Sequence, residues 1–163
     1  MRVDRIVLEN GKQSEREVVE HNGAVAVLPV DADGNCTLVE QFRKPIEKTL
    51  LEAPAGKLDY GENPIACAQR ELKEETGLTT KTLIPLGSIF TTAGFSDEKI
   101  YLFLAFDLEQ NEPNPDEDEF VNTVIMKWSK LLQLSQENQI EDAKTNVLIL
   151  RALSKVKKYL TDK

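Results

Sequence analysis

A mixed α/β or α+β fold is predicted by the order of elements along the 163-residue chain. Strand-like runs flank one well-delimited central helix, and a second amphipathic helix closes the sequence. With 40% hydrophobic residues the chain can bury a real core, and no internal repeat or low-complexity linker divides it. A single domain over residues 1–163 is expected.

The elements follow in order. Asn10-Gly11 is a hairpin signal between Val3–Leu8 and a strand through Val18-Val19. Gly23–Val30 is a continuous apolar run, and Asp31-Ala32-Asp33-Gly34 turns it into a strand over Cys36–Phe42. Leu50–Ala53 is a short strand leading into Pro54-Ala55-Gly56. Asn63-Pro64 starts a helix, because Asn accepts from the first free N–H groups and Pro suits the first helical position. Gly77 stops it, since glycine takes the left-handed C′ conformation at little cost. Ile65, Ala68 and Leu72 form its expected core stripe. Strands follow at Leu83–Phe90, Ile100–Phe106 and Phe120–Trp128. Asn111–Glu119 carries two prolines and five acids in nine residues, an exposed loop. Val147, Leu148, Leu150, Leu153, Val156 and Leu160 make the stripe of the last helix, whose lysines at 155, 157 and 158 favour its C-terminal dipole end.

The central helix carries the chemistry. Glu71 and Glu75, four apart, share a face, and Glu74 stands about a sixth of a turn away. Like charges at this spacing repel, so the cluster is cheap to keep only if it is solvated or holds a cation. Oxygen ligands of this hardness suit Mg²⁺, with Mn²⁺ as the alternative; such ions keep several waters and reach substrate phosphates. Gly56 and Gly61 let the preceding loop bring Glu62 back over the helix, and Arg70 beside the acidic turn can pair with a glutamate. An E-E-x-G turn alone is usually a solvated helix end with a glycine cap. Here Gly56, Glu62, Arg70, Glu71, Glu74, Glu75 and Gly77 stand at fixed spacing, G-x5-E-x7-R-E-U-x-E-E-x-G-U, where U is bulky aliphatic.

The rest of the composition sets bounds. The net charge is −8 and the sequence pI is about 4.8. This acidity argues against nucleic-acid or anionic-membrane partners, but not against a phosphate substrate once a divalent cation reverses the local field. There is no apolar run of 18 residues and no basic-then-apolar leader, so a cytoplasmic protein without a membrane span is expected. Cys36 and Cys67 form no zinc pattern and read as reduced packing residues. His21, the only histidine, rules out multi-histidine sites and reads as structural or surface.

The spaced pattern over 56–78 resembles the signature box of the Nudix hydrolases at every defined position. Other pieces are similar to the ADP-ribose pyrophosphatase branch: Val39–Arg43, Leu51–Lys57, Thr92–Glu98, Asp116–Glu119 and Asp142–Thr145. The resemblance implies an α/β/α sandwich with a mixed sheet, and N-terminal strands (about residues 1–45) that contribute to a homodimer. It implies Glu71 and Glu75 as main metal ligands, with Glu74 and the Ala55 carbonyl assisting. Glu62 and Arg70, with the box glycines Gly56 and Gly77, would stabilise the box. Arg43 would meet the diphosphate, Glu98 would lie near metal or substrate, and Glu117 or Glu119 would be the general base. The implied reaction is hydrolysis of ADP-ribose to AMP and ribose 5-phosphate. Ala93 stands where the branch often has proline, which keeps other nucleoside diphosphate sugars and dinucleoside polyphosphates open as substrates. A non-catalytic nucleotide-sensing module is the rival class; eroded box glutamates or an attached DNA-binding domain would mark it, and this sequence has neither. Phe42, Phe95 and Trp128 are candidates to stack on a base, although each is expected in the core.

Overall fold

A computed structural model describes residues 1–111 and 122–162 of the chain. The N-terminal hairpin is β1 (Arg2–Val7) against β2 (Gln13–Val18), antiparallel from Arg2↔Val18 to Val7↔Gln13. Gly11, at φ +77°, makes the turn that the Asn-Gly pair predicts. The hairpin forms a sheet of its own, bridged to the rest at Val19↔Ser96.

The central sheet has the order β6-β3-β8-β7. Its strands are β3 (Ala24–Pro29), β6 (Ala55–Lys57), β7 (Leu78–Phe90) and β8 (Lys99–Gln110). β3 runs parallel to β8, whereas the β3–β6 and β7–β8 pairs are antiparallel, so the sheet is mixed as expected. Every residue of β3 is buried, because both faces of the sheet are covered. Val25, Val27, Phe103 and Ala105 look to one side and pack on Cys67, Ala68 and Leu72 of helix α1 (Pro64–Thr76). Ala24, Ala26, Leu28, Leu102 and Leu104 look to the other side, into the main core. There they meet Cys36 and Leu38 of a second, antiparallel sheet, β5-β4-β9, built from β4 (Asn35–Arg43), β5 (Lys48–Glu52) and β9 (Asn122–Lys127). Helices α2 (Trp128–Gln136) and α3 (Ala143–Thr161) complete that core through Leu131, Leu148, Ile149, Ala152 and Val156.

Several details differ from the sequence expectation. In α1 the buried stripe is Cys67, Ala68 and Leu72; Ile65, in the first turn, is exposed. In α3 the buried positions are 144, 145, 148, 149, 152 and 156, of which 145, 148, 149, 152 and 156 follow the i, i+3, i+4, i+7 pattern. Leu150 and Leu153 lie off that stripe and are exposed. Trp128 does not end a strand but starts α2, which no side chain caps at Lys127. Phe42 and Phe95 are exposed and Trp128 is half-buried against the core. Both cysteines are free and buried, and burial pushes each thiol up to about 12, so they are inert packing groups. Among the described residues no helix is long and apolar enough to cross a membrane.

Candidate active site

α1 begins and ends as its capping residues dictate. The Asn63 side chain accepts from the Ile65 N–H at 2.8 Å, and Gly77, at φ +71°, donates its N–H to the Lys73 carbonyl at 2.8 Å. This fixes which face Glu71 and Glu75 present. Both are buried, 7% and 5% exposed, on the side where β6 passes. The Ala55 N–H donates to Glu75 Oε2 at 3.0 Å. At Gly56 the approach is closer still: a Cβ there would lie 1.9–2.2 Å from the Glu71 carboxylate atoms. Glycine at 56 is therefore required by the carboxylate itself, a reason the motif alone does not display.

Arg70 ties the acidic turn together. It donates to both Glu62 oxygens (3.1 and 3.0 Å), to Glu71 Oε1 (2.8 Å), to Glu74 Oε2 (2.9 Å) and to the Lys57 carbonyl (3.2 Å). Glu62 also accepts from the Asp59 N–H at 3.0 Å. The Arg70 guanidinium, then that N–H, hold the Glu62 carboxyl at about 2, below its ordinary 4.5. A depressed carboxylate adds stability that is present above the ordinary value and is lost as pH falls through the folded one. Acid unfolding should therefore show wild type losing stability between about pH 4.5 and 2. Glu62→Gln is expected to be less stable at neutral pH and to lose less over that interval. Parallel melting curves for the two proteins would contradict the pairing.

An open cleft of about 820 Å³ lies beside this turn. Gly56, Arg70 and Glu71 form its box side, and Arg43, Glu52 and Lys144 stand among the lining residues contributed by β4, β5 and α3. The loop after β7 contributes Thr91, Thr92 and Glu98. Glu98 accepts from the Thr91 hydroxyl at 2.6 Å, and its Oε1 lies 3.5 Å from His21 Nε2. His21, read from sequence as structural or surface, thus lines the cleft, with Nδ1 accepting from the Gly23 N–H at 3.0 Å. Arg43 and Glu98 therefore share one cleft with Glu71, whereas Glu74 is turned to Arg70 and Glu117 and Glu119 lie outside the described residues.

Sequence reasoning placed Glu52, Asp142 and Lys144 in branch-like segments but gave them no role. Glu52 is 1% exposed and receives a two-pronged bond from Arg43, at 2.8 and 2.7 Å, and another from Lys144. Burial works to raise its pKa, but Arg43 and Lys144 together hold it below the ordinary value. The available signals were a lone acid inside the apolar Leu50–Ala53 run and a lysine in the first turn of α3, where the helix dipole disfavours a cation.

Among the described residues no three carboxylate, thiol or imidazole groups are close-set enough to hold an ion alone. The donors nevertheless fit a hard divalent cation of the Mg²⁺ type. That ion keeps several waters and binds through one or two carboxylates plus substrate phosphates. Glu71 at the cleft wall and buried Glu75, bonded to the cleft-lining Ala55, are oxygen donors of this kind.

A two-sheet sandwich with a capped helix of carboxylates beside an open cleft defines a hydrolase of the Nudix class. The chain belongs to the NUDIX family, whose domain model matches residues 20–149. It is 46% identical over 145 residues to the ADP-ribose pyrophosphatase of Bacillus subtilis (strain 168), covering 88% of this chain and 78% of the relative. It is 43% identical over 151 residues to the methanol dehydrogenase activator of Bacillus methanolicus, covering 91% and 82%. A crystal structure of an ADP compounds hydrolase matches with a TM-score of 0.80 at 21% identity, over 97% of this chain and 93% of that one; this likeness is one of fold. Enzymes of this family generally work with a divalent metal.

Proposed function

We infer that the chain hydrolyses the diphosphate of ADP-ribose to AMP and ribose 5-phosphate, in the cytoplasm, as one catalytic domain over residues 1–163. The observation that carries this reading is the shared cleft, which Glu71 of the box helix lines together with Arg43 and Glu98. The relative of Bacillus subtilis, named for the same activity, supports it. Glu71 and Glu75 hold Mg²⁺ or Mn²⁺, assisted by Glu74 and the Ala55 carbonyl. When bound, the cation neutralises the diphosphate and lowers the pKa of a water. Arg43 donates charge-assisted hydrogen bonds to non-bridging oxygens. Glu98, its carboxylate steadied by Thr91, meets the substrate in the same cleft. Glu117 or Glu119 acts as the general base that takes the proton of the attacking water.

Ala93 motivates the second reading, hydrolysis of other nucleoside diphosphate sugars or dinucleoside polyphosphates. A substrate panel decides between them: ADP-ribose is expected to give the highest kcat/KM, with AMP as product. A higher value for another member would replace it as substrate. The N-terminal hairpin supports a homodimer, since among the described residues it forms a sheet of its own and leaves Val3 and Val7 exposed. Sizing in solution should give twice the monomer mass; one monomer mass would remove the dimer.

A further inference from the structure

Arg43 reaches the cleft wall half-exposed, yet its fork is not free to turn. Nε donates to Glu52 Oε1 at 2.8 Å and Nη2 to Oε2 at 2.7 Å, which sets the plane of the guanidinium and leaves its remaining donors for the cleft. Glu52 is in turn bonded by Lys144, itself buried, and Lys144 also donates to Asp142 Oδ1 at 3.0 Å. Asp142 caps α3 by accepting from the Thr145 N–H at 2.9 Å and from its hydroxyl at 2.6 Å. The Thr145 hydroxyl oxygen accepts from the Ala53 N–H at 2.8 Å. A continuous set of bonds therefore joins the start of α3 to the end of β5 and to Arg43.

Stability alone does not account for this arrangement. Buried ion pairs are often no better than apolar side chains of the same volume, and a half-exposed arginine needs no buried partner. What the network supplies is a fixed direction for one guanidinium. We propose that Glu52 is a positioning residue, which holds Arg43 toward the diphosphate and is itself held by Lys144. This rests on the reading of Arg43 as a diphosphate contact.

A double-mutant cycle on KM tests it, using the nucleoside diphosphate that the wild type cleaves fastest with Mg²⁺. Arg43→Ala should raise KM about tenfold, the loss of a charged hydrogen bond. Glu52→Gln should reproduce most of that rise with kcat little changed, the signature of lost substrate binding. In the Arg43→Ala background Glu52→Gln should leave KM where it was, because its effect passes through Arg43. Equal KM increments in both backgrounds overturn the proposal. An Arg43→Ala protein with wild-type KM overturns the assignment of Arg43 itself, and the proposal with it. Should Glu52→Gln not fold, the pair Glu52→Met with Lys144→Met leaves no unpaired charge between those positions. It is expected to fold and to show the same KM rise, and a wild-type KM in that protein overturns the proposal.

Discussion

Glu75→Gln is expected to lower kcat by on the order of 10³-fold, the equivalent of about 4 kcal/mol of transition-state stabilisation. The substitution changes charge but hardly shape. Glu75 is buried at the end of α1 and accepts from the Ala55 N–H at 3.0 Å, and a glutamine side-chain oxygen can accept the same bond. The fold should therefore survive while the cation loses a principal ligand. Turnover and thermal midpoint measured on one preparation check both halves. Unchanged kcat would remove Glu75 from the metal site, and a collapsed midpoint would show that its role is structural.

Gly56→Ala should cost on the order of 10²-fold in kcat/KM, the scale on which small misplacements of catalytic groups act. The new Cβ would stand 1.9–2.2 Å from the Glu71 carboxylate, which no real contact tolerates. The backbone need not move, because the end of a glutamate side chain can swing away. Stability should consequently change little, while Glu71 leaves its place at the cleft wall. Wild-type kcat/KM in this variant would mean that the position of Glu71 does not matter to turnover. These two substitutions probe the same centre from opposite sides, one by removing a charge and one by displacing it.

The helix that carries the centre was legible because its caps are local chemistry. Asn63, Pro64 and Gly77 need only neighbouring backbone to act, and the structure has them in those roles. The hairpin at Asn10-Gly11 was legible for the same reason. Strand β3 was readable as an apolar run, although its parallel pairing with β8 depends on residues over 70 positions away. Leu150 and Leu153 misled because leucines suggest a core wherever they fall, whereas the helical period assigns them to the outer face. α2 was missed because Lys127 offers no capping side chain, so the strand pattern ran into Trp128 unbroken. Glu52 is the most instructive case. Its partners sit at 43 and 144, and only the packing of β5 against the start of α3 brings them together. The same tertiary packing makes Gly56 necessary rather than merely patterned.

The most direct test is the product mixture formed from ADP-ribose by the purified protein, with Mg²⁺ and again with excess chelator. AMP and ribose 5-phosphate in equal amounts with Mg²⁺, and neither with chelator, is the expected result. No AMP with Mg²⁺ while another nucleotide is cleaved would contradict ADP-ribose as substrate, and equal cleavage under chelation would contradict a metal-held centre at Glu71 and Glu75.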